Sequence, residues 1–280
     1  MAVAEEILTI DSIGQLQLRK ARTTISGKRL LAYSAVLLAL VIPASLICGV
    51  SVSAFANGIS KGVSLLNLFF PPAWSEFPAM LQPILVTVVM ALSSTVFGTL
   101  LSVPCGLAAS SNVAPAWLRN TVRFLIGFER GLPEIILLLM AVAALGLGAL
   151  PGLIALSIAS VGMLAKLLAD AIEEIDPKLL ESIAVTGATR TQVIRYAIFP
   201  QVLPSLLANA LFRFEVNVRA SVLLGAVGAG GIGYVLSTSI GALEYPKATV
   251  AILCSLALVL FSERASDYFR TRVFDGGHKI

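Results

Sequence analysis

The chain is 280 residues long, 57% hydrophobic and only 13% charged, with a formal net charge of +4 and a mean hydropathy of +0.91. A water-soluble domain carries about 25% charged residues, so this composition excludes an ordinary soluble fold and makes lipid the solvent. The apolar runs are continuous instead of alternating, which excludes a β-barrel and leaves an all-α, polytopic membrane protein.

In chain order, residues 1–29 read as a cytoplasmic N-terminal tail, 30–267 as the transmembrane domain and 268–280 as a cytoplasmic C-terminal tail. About six spans are expected, each near the roughly 20 residues a crossing helix needs: Leu31–Phe55, Met80–Ala109, Thr121–Gly148, Gly152–Ile172, Val202–Leu224 and Lys247–Ser266. The first follows basic residues, as a secretory signal would, but it exceeds a signal's apolar core of about 7–15 residues and is expected to be retained. After it, Leu65, Leu66, Leu68, Phe69, Phe70 and Trp74 around Pro71 and Pro72 predict a short helix lying in the interface. Pro43, Pro83, Pro104 and Pro133 are expected to kink spans.

Orientation follows from the basic residues. With both termini inside, the inner segments hold Arg19, Lys20, Arg22, Lys28, Arg29, Arg119, Arg123, Lys178, Arg190, Arg195, Arg264, Arg270, Arg272 and Lys279, against Lys61 and Lys247 outside. These dispersed anchors account for the net charge without nucleic acid. Cys48, Cys105 and Cys254 are isolated in apolar stretches, with His278 the sole histidine, so they read as buried thiols and no metal site is expected.

Between the fourth and fifth spans, residues 173–200 form a polar interruption with its own helical pattern. Asp176 and Pro177 supply an N-cap and a first-turn proline, and Gly187 is expected to end or turn the helix. From the residues alone this is a cytoplasmic connector as readily as a docking element. Glu181-Ser182-Ile183, three residues, Gly187 and a later Phe199-Pro200 resemble the EAA loop of ABC-importer permeases, with Ser182, Ile183, Ala197 and Phe199 departing from its usual residues. Further strings between Glu129 and Gly233 resemble the phosphonate and phosphite-type permeases, most specifically Arg213-Phe214-Glu215-Val216-Asn217-Val218-Arg219.

The resemblance implies a type I ABC-importer permease in the bacterial inner membrane, moving a phosphorus oxyanion such as phosphonate, phosphite or hypophosphite by alternating access. It implies that Glu181, Ser182, Ile183, Gly187 and Pro200 couple the chain to two ATPase subunits, with Pro204 helping to set the re-entry angle. A second permease copy and an extracytoplasmic solute-binding protein complete the expected assembly. No cofactor is expected in this chain; ATP and Mg belong to the partner ATPase. No Gly-Lys-Ser/Thr loop is present, so the chain is not expected to hydrolyse ATP.

Ionisable residues inside spans are costly and should face protein, water or a partner. Arg130 and Glu134, Lys166 and Asp170, and Glu215 and Arg219 each lie one turn apart, which permits local ion pairs. With Glu129 and Arg213 they make four basic and four acidic groups. Structural pairing and an anion path both fit; the resemblance favours the path, in which a balanced lining holds an anion weakly. On the fifth span Arg213 and Asn217 share a stripe expected to face the pathway, while Glu215 and Arg219 are expected to lock the helix to its neighbours.

Gly228-Ala229-Gly230-Gly231-Ile232-Gly233 spells a dinucleotide fingerprint, but a membrane helix precedes it and no acidic residue follows at about 20 residues. Gly228, Gly230, Gly231 and Gly233 read instead as a flexible turn or gate at the outer end of the fifth span. The rival function is an ion-coupled secondary transporter using the intramembrane carboxylates; it would not need the EAA-like loop.

Overall fold

A computed structural model describes residues 6–10, 16–20, 27–49 and 51–275. By internal contact the chain divides into two units, Met1–Leu66 and Asn67–Ile280. In the first, strands β1 (Glu6–Ile10) and β2 (Leu16–Lys20) pair antiparallel with Glu6 opposite Lys20. This ribbon holds the only strands among the described residues; every other regular element there is helical. Helices α1 (Gly27–Ile47) and α2 (Val52–Leu68) follow. The first expected span therefore stops at Ile47 instead of Phe55, because the chain turns at Gly49 with φ +67°, a conformation that suits glycine. Cys48 lies in that turn and is exposed, not buried as expected. The expected interface helix is also divided: Leu65, Leu66 and Leu68 end α2, whereas Trp74 opens a single 3₁₀ turn, Trp74–Glu76.

In the second unit, α3 (Phe77–Ala109) carries Pro78 in its first turn, where a missing N–H costs nothing. It packs along α6 (Ala149–Glu173) through Ser94, Gly98, Ser102 and Gly106, all buried and spaced four residues apart. Small residues at that spacing let two backbones approach closely. A Cβ on Gly98 would collide with Ser160, and one on Gly106 would lie 2.8 Å from Leu168 Cδ2. The hydroxyls on this seam are satisfied within their own helix: Ser94 donates to the Ala91 carbonyl at 3.0 Å and Ser102 to Thr99 at 2.7 Å.

The third expected span is two helices, α4 (Ala116–Arg130) and α5 (Glu134–Leu145), joined by Gly131-Leu132-Pro133. Pro133 donates no hydrogen bond and biases Leu132 away from helix. At 1.5 Å per residue the 12-residue α5 is about 18 Å long, too short to cross alone. Among the described residues, four segments are long and apolar enough to do so: Trp74–Ala109, Ala149–Glu173, Arg190–Ala229 and Tyr245–Arg272.

The chain leaves α6 into α7 (Pro177–Val185), turns, and resumes at α8 (Arg190–Val193), which runs through a π turn (Ile194–Ile198) into α9 (Phe199–Leu224). The continuous helical run that carries the fifth span thus begins at Arg190, ahead of the expected Val202. A second π turn (Gly225–Ala229) leads to α10 (Gly231–Gly241) and then α11 (Tyr245–Asp275), which continues as helix into the stretch expected to be tail.

Helix α6 lies at the centre. Its Ala155 and Leu156 join Met90, Leu138, Ala220, Leu224 and Ala229 in one apolar cluster. Its other end, Leu168 and Ile172, joins Ile175, Ile198, Val202 and Leu206. The second cluster ties the polar interruption directly to α6 and α9.

Candidate docking segment and intramembrane charge network

The interruption is built by local rules. Asp176 Oδ1 accepts from the Lys178 N–H at 2.9 Å and caps α7 beside Pro177. After α7, Gly187 turns the chain with φ +83°, where a side chain would be strained. Thr189 and Gln192 then form a reciprocal capping box on α8, with Thr189 N–H donating to Gln192 Oε1 at 2.8 Å. Glu181 and Ser182 are exposed and Ile183 is half-buried. Val185 at the tip is 87% exposed, an apolar side chain left without cover in this chain. Pro200 lies in the first turn of α9 and Pro204 inside it. A groove of about 560 Å³ separates this segment from residues 111–115 between α3 and α4, with Glu181 and Arg190 on its wall.

The segment's root is fastened. Glu173, the last residue of α6, accepts from the Ser111 N–H and from Arg123 Nη2, each at 2.5 Å. Arg123 Nε donates to the Ala109 carbonyl at 2.7 Å, and Asn112 Nδ2 to the Ile172 carbonyl at 3.0 Å. Three bonds thus clasp the α3–α4 corner to the end of α6, the Arg123–Ala109 bond braces the corner itself, and the Arg123–Glu173 bond, charge-assisted, is of the strong kind.

Within the spans, two of the three expected local pairs are present: Lys166 with Asp170 at 2.5 Å and Arg219 with Glu215 at 3.0 Å. The third is not. Glu134 pairs with Arg213 at 2.8 Å instead of with Arg130, because the Gly131–Pro133 break removes the continuous helix that an i,i+4 pair requires. Arg213 is also bonded to Ser160 Oγ at 3.0 Å through Nε, and its Nη1 lies 3.7 Å from Met163 Sδ. Asn217 donates to both Ser160 Oγ at 3.0 Å and Thr95 Oγ1 at 2.9 Å. Ser160 donates in turn to the Leu156 carbonyl at 2.6 Å, so its hydroxyl uses its donor and both acceptor positions.

Within this chain it is the Arg213–Asn217 stripe of α9 that bonds neighbouring helices, and the Glu215–Arg219 pair closes within α9. Arg213 and Asn217 are buried in the protomer and join α9 to α3, α5 and α6, while Glu215 pairs within α9 and Arg219 is exposed. A buried guanidinium needs partners; Ser160 and Glu134 supply them to Arg213, and Thr95 and Ser160 supply them to Asn217, all on the inward side. Glu129 projects from α4 onto Gly162 of α6, with Oε2 buried and, among the described residues, without a hydrogen-bond partner.

The glycine-rich turn has no strand before it. Gly228, Gly230 and Gly231 take φ of +112°, +78° and +72°, and the Ile232 N–H donates to Thr87 Oγ1 at 2.9 Å. The Gly148 N–H donates to the Gly228 carbonyl at 3.0 Å, and Ala229 and Ile232 are fully buried. The turn expected to be flexible is fastened to α3 and to the α5–α6 junction; a Cβ on Gly233 would strike the Val222 carbonyl.

Residues 102–275 match the family model of binding-protein-dependent transport system inner membrane components. The chain belongs to that family. This inner membrane component is 34% identical over 249 residues to the putative phosphite transport system permease protein HtxC of Stutzerimonas stutzeri, covering 89% of this chain and 88% of that protein. It is 37% identical over 246 residues to the phosphate-import permease protein PhnE of Mycolicibacterium smegmatis, covering 86% of this chain and 46% of the relative. Among solved structures, an inward-facing conformation of the MetNI methionine ABC transporter superposes with a TM-score of 0.61 at 26% identity, over 70% of this chain and 98% of that one. The family is one of transport permeases, not enzymes, and its members work with a binding protein.

For this inner membrane component, sequence reasoning missed Thr95 and Ser160, Arg123 as more than an anchor, and the Glu173 clasp. Thr95 and Ser160 each fall on buried, small-residue faces, the one signal that could have marked them.

Proposed function

We propose that the chain is the permease subunit of an ATP-driven importer for a phosphorus oxyanion, paired with a second copy of itself around one alternating-access pathway. The observation that carries this reading is the exposed α7–Gly187–α8 segment, solvent-facing at Glu181, Ser182 and Val185 yet fastened at its root by the Glu173 clasp. A short helix on a rigid root can seat in a groove of a soluble subunit and pass movement to the attached spans. Two ATPase subunits bind there, holding ATP and Mg, and both termini lie on that cytoplasmic side; a solute-binding protein docks opposite. The phosphite and phosphate titles of the similar permeases support the cargo class.

The exposed charges support the pathway. Lys166, Asp170 and Arg219 keep 45%, 42% and 57% of their side-chain surface exposed within spans. Charges at membrane depth face protein or water rather than lipid, so these faces turn toward the second copy and the water-filled path. Paired cations offer a passing oxyanion compensation without a deep trap. The buried Arg213–Glu134–Ser160–Asn217 group holds α9 in register while the path changes shape.

Uptake by cells carrying the permease with and without its ATPase tests the reading. Import of phosphite or methylphosphonate that needs the ATPase supports it; uptake driven by an ion gradient alone would replace it with a secondary transporter.

A further inference from the structure

A second cavity, of about 150 Å³, lies between α4 and the end of α6 that leads into α7. Arg123, Arg130, Lys166 and Asp170 line it, with Gly127 and Ala169 leaving the wall low between them. Three cations thus share the space with one carboxylate. Arg123 is engaged by Glu173 and the Ala109 carbonyl. Lys166 bonds Asp170 with one of its three donors. Arg130 makes no hydrogen bond or ion pair among the described residues. The adjacent Glu129 turns its carboxylate onto Gly162 instead. Arg130 and Lys166, both with unused donors, therefore line a small, largely apolar-walled void beside a membrane span.

We propose that this cavity binds a phosphoryl oxyanion, held by the Arg130 guanidinium and the Lys166 ammonium against a wall fixed by Arg123. The planar fork of an arginine suits two oxygens of one phosphoryl group, and the lysine supplies a point charge to a third. A water takes about 30 Å³ of liquid volume, so the space admits one tetrahedral oxyanion with part of its hydration. Asp170 keeps the site weak. Two sources share this chemistry. One is the cargo leaving the pathway, which rests on the function proposed above. The other is an anionic lipid headgroup, whose tails would lie along the exposed Phe124 and Phe128 of α4; basic pockets between spans near a membrane surface take such headgroups.

The test uses the full chain in nanodiscs of phosphatidylcholine, probed with radiolabelled inorganic phosphate, and in nanodiscs containing phosphatidylglycerol, probed by native mass spectrometry for retained lipid. Saturable phosphate binding that falls at least tenfold in both Arg130→Gln and Lys166→Gln assigns the site to a free oxyanion. Selective phosphatidylglycerol retention lost in the same variants, without phosphate binding, assigns it to a headgroup. Either supports the site. Arg130→Lys, with an unchanged size-exclusion profile, should retain binding within about threefold and separates loss of charge from misfolding. Absence of both ligands from the wild type, or binding indifferent to both substitutions, overturns the proposal. A complex that imports methylphosphonate yet binds neither ligand here refutes this site alone; one that binds but imports nothing refutes the proposed function alone.

Discussion

The Arg213–Glu134 pair should be the strongest ionic contact inside this protein. Arg213 keeps only 5% of its side-chain surface exposed and Glu134 keeps 32%, at 2.8 Å. Replacing Glu134 with Gln leaves a buried guanidinium without its counter-charge, a change that costs about 3–5 kcal/mol for a fully buried pair. Since Glu134 is partly exposed, the lower end, about 3 kcal/mol, is expected. The Lys166–Asp170 pair is shorter, at 2.5 Å, but both partners are more than 40% exposed and lie one turn apart on one helix, so about 0.5 kcal/mol or less is expected of it. Double-mutant cycles on the two pairs, read by reversible unfolding in mixed micelles, measure the difference directly. Coupling of at least about 1.5 kcal/mol for Arg213–Glu134, three times that of Lys166–Asp170, is expected from those two magnitudes. Equal coupling for both pairs would refute the claim that burial, and not distance, sets their worth.

Gly98→Leu should fold poorly, because its side chain would enter the space of Ser160 on α6; overpacking a tight seam costs about 1–3 kcal/mol or more, visible as loss of the monodisperse peak in size-exclusion chromatography. Thr189→Ala removes the capping box of α8 and should cost about 1 kcal/mol locally, read as roughly fivefold faster amide exchange over residues 190–193 with little change in α6. Glu173→Gln should weaken the clasp on Ser111 and Arg123, raising exchange at the α3–α4 corner and lowering uptake while ATP hydrolysis by the complex continues. Unchanged exchange at Ser111 in that variant would show that the corner is held by other contacts.

What was legible in the sequence was local or continuous. The run through α3 announces itself by hydropathy, and Asp176-Pro177 and Gly187 act within one turn of where they stand, so the cap and the turn of the 173–200 interruption appear as read. The break at Gly131-Leu132-Pro133 was hidden because all three residues are at home in an apolar stretch, and only the backbone tells a kink from a division. That one break misplaced Glu134: once it begins α5, its partner becomes Arg213, 79 residues away along the chain. The two stripes on α9 were separable by helix geometry, but which one faced inward depended on Thr95 and Ser160 from other helices, and no spacing within α9 could reveal them. The Glu173 clasp was invisible for the same reason, since Ser111 enters it through its backbone.

The central claim is that the α7–Gly187–α8 segment carries an external ATP-driven movement into the spans. Gly187→Val forces a branched side chain into φ +83°, a strain of about 1–2 kcal/mol for a single residue, and disturbs the segment without touching a span. Proteoliposomes containing the permease, its ATPase and its binding protein should show ATP-dependent uptake of methylphosphonate in the wild type. In Gly187→Val, uptake should fall at least tenfold while the ATPase still hydrolyses ATP. Undiminished ATP-dependent uptake in Gly187→Val would contradict the account.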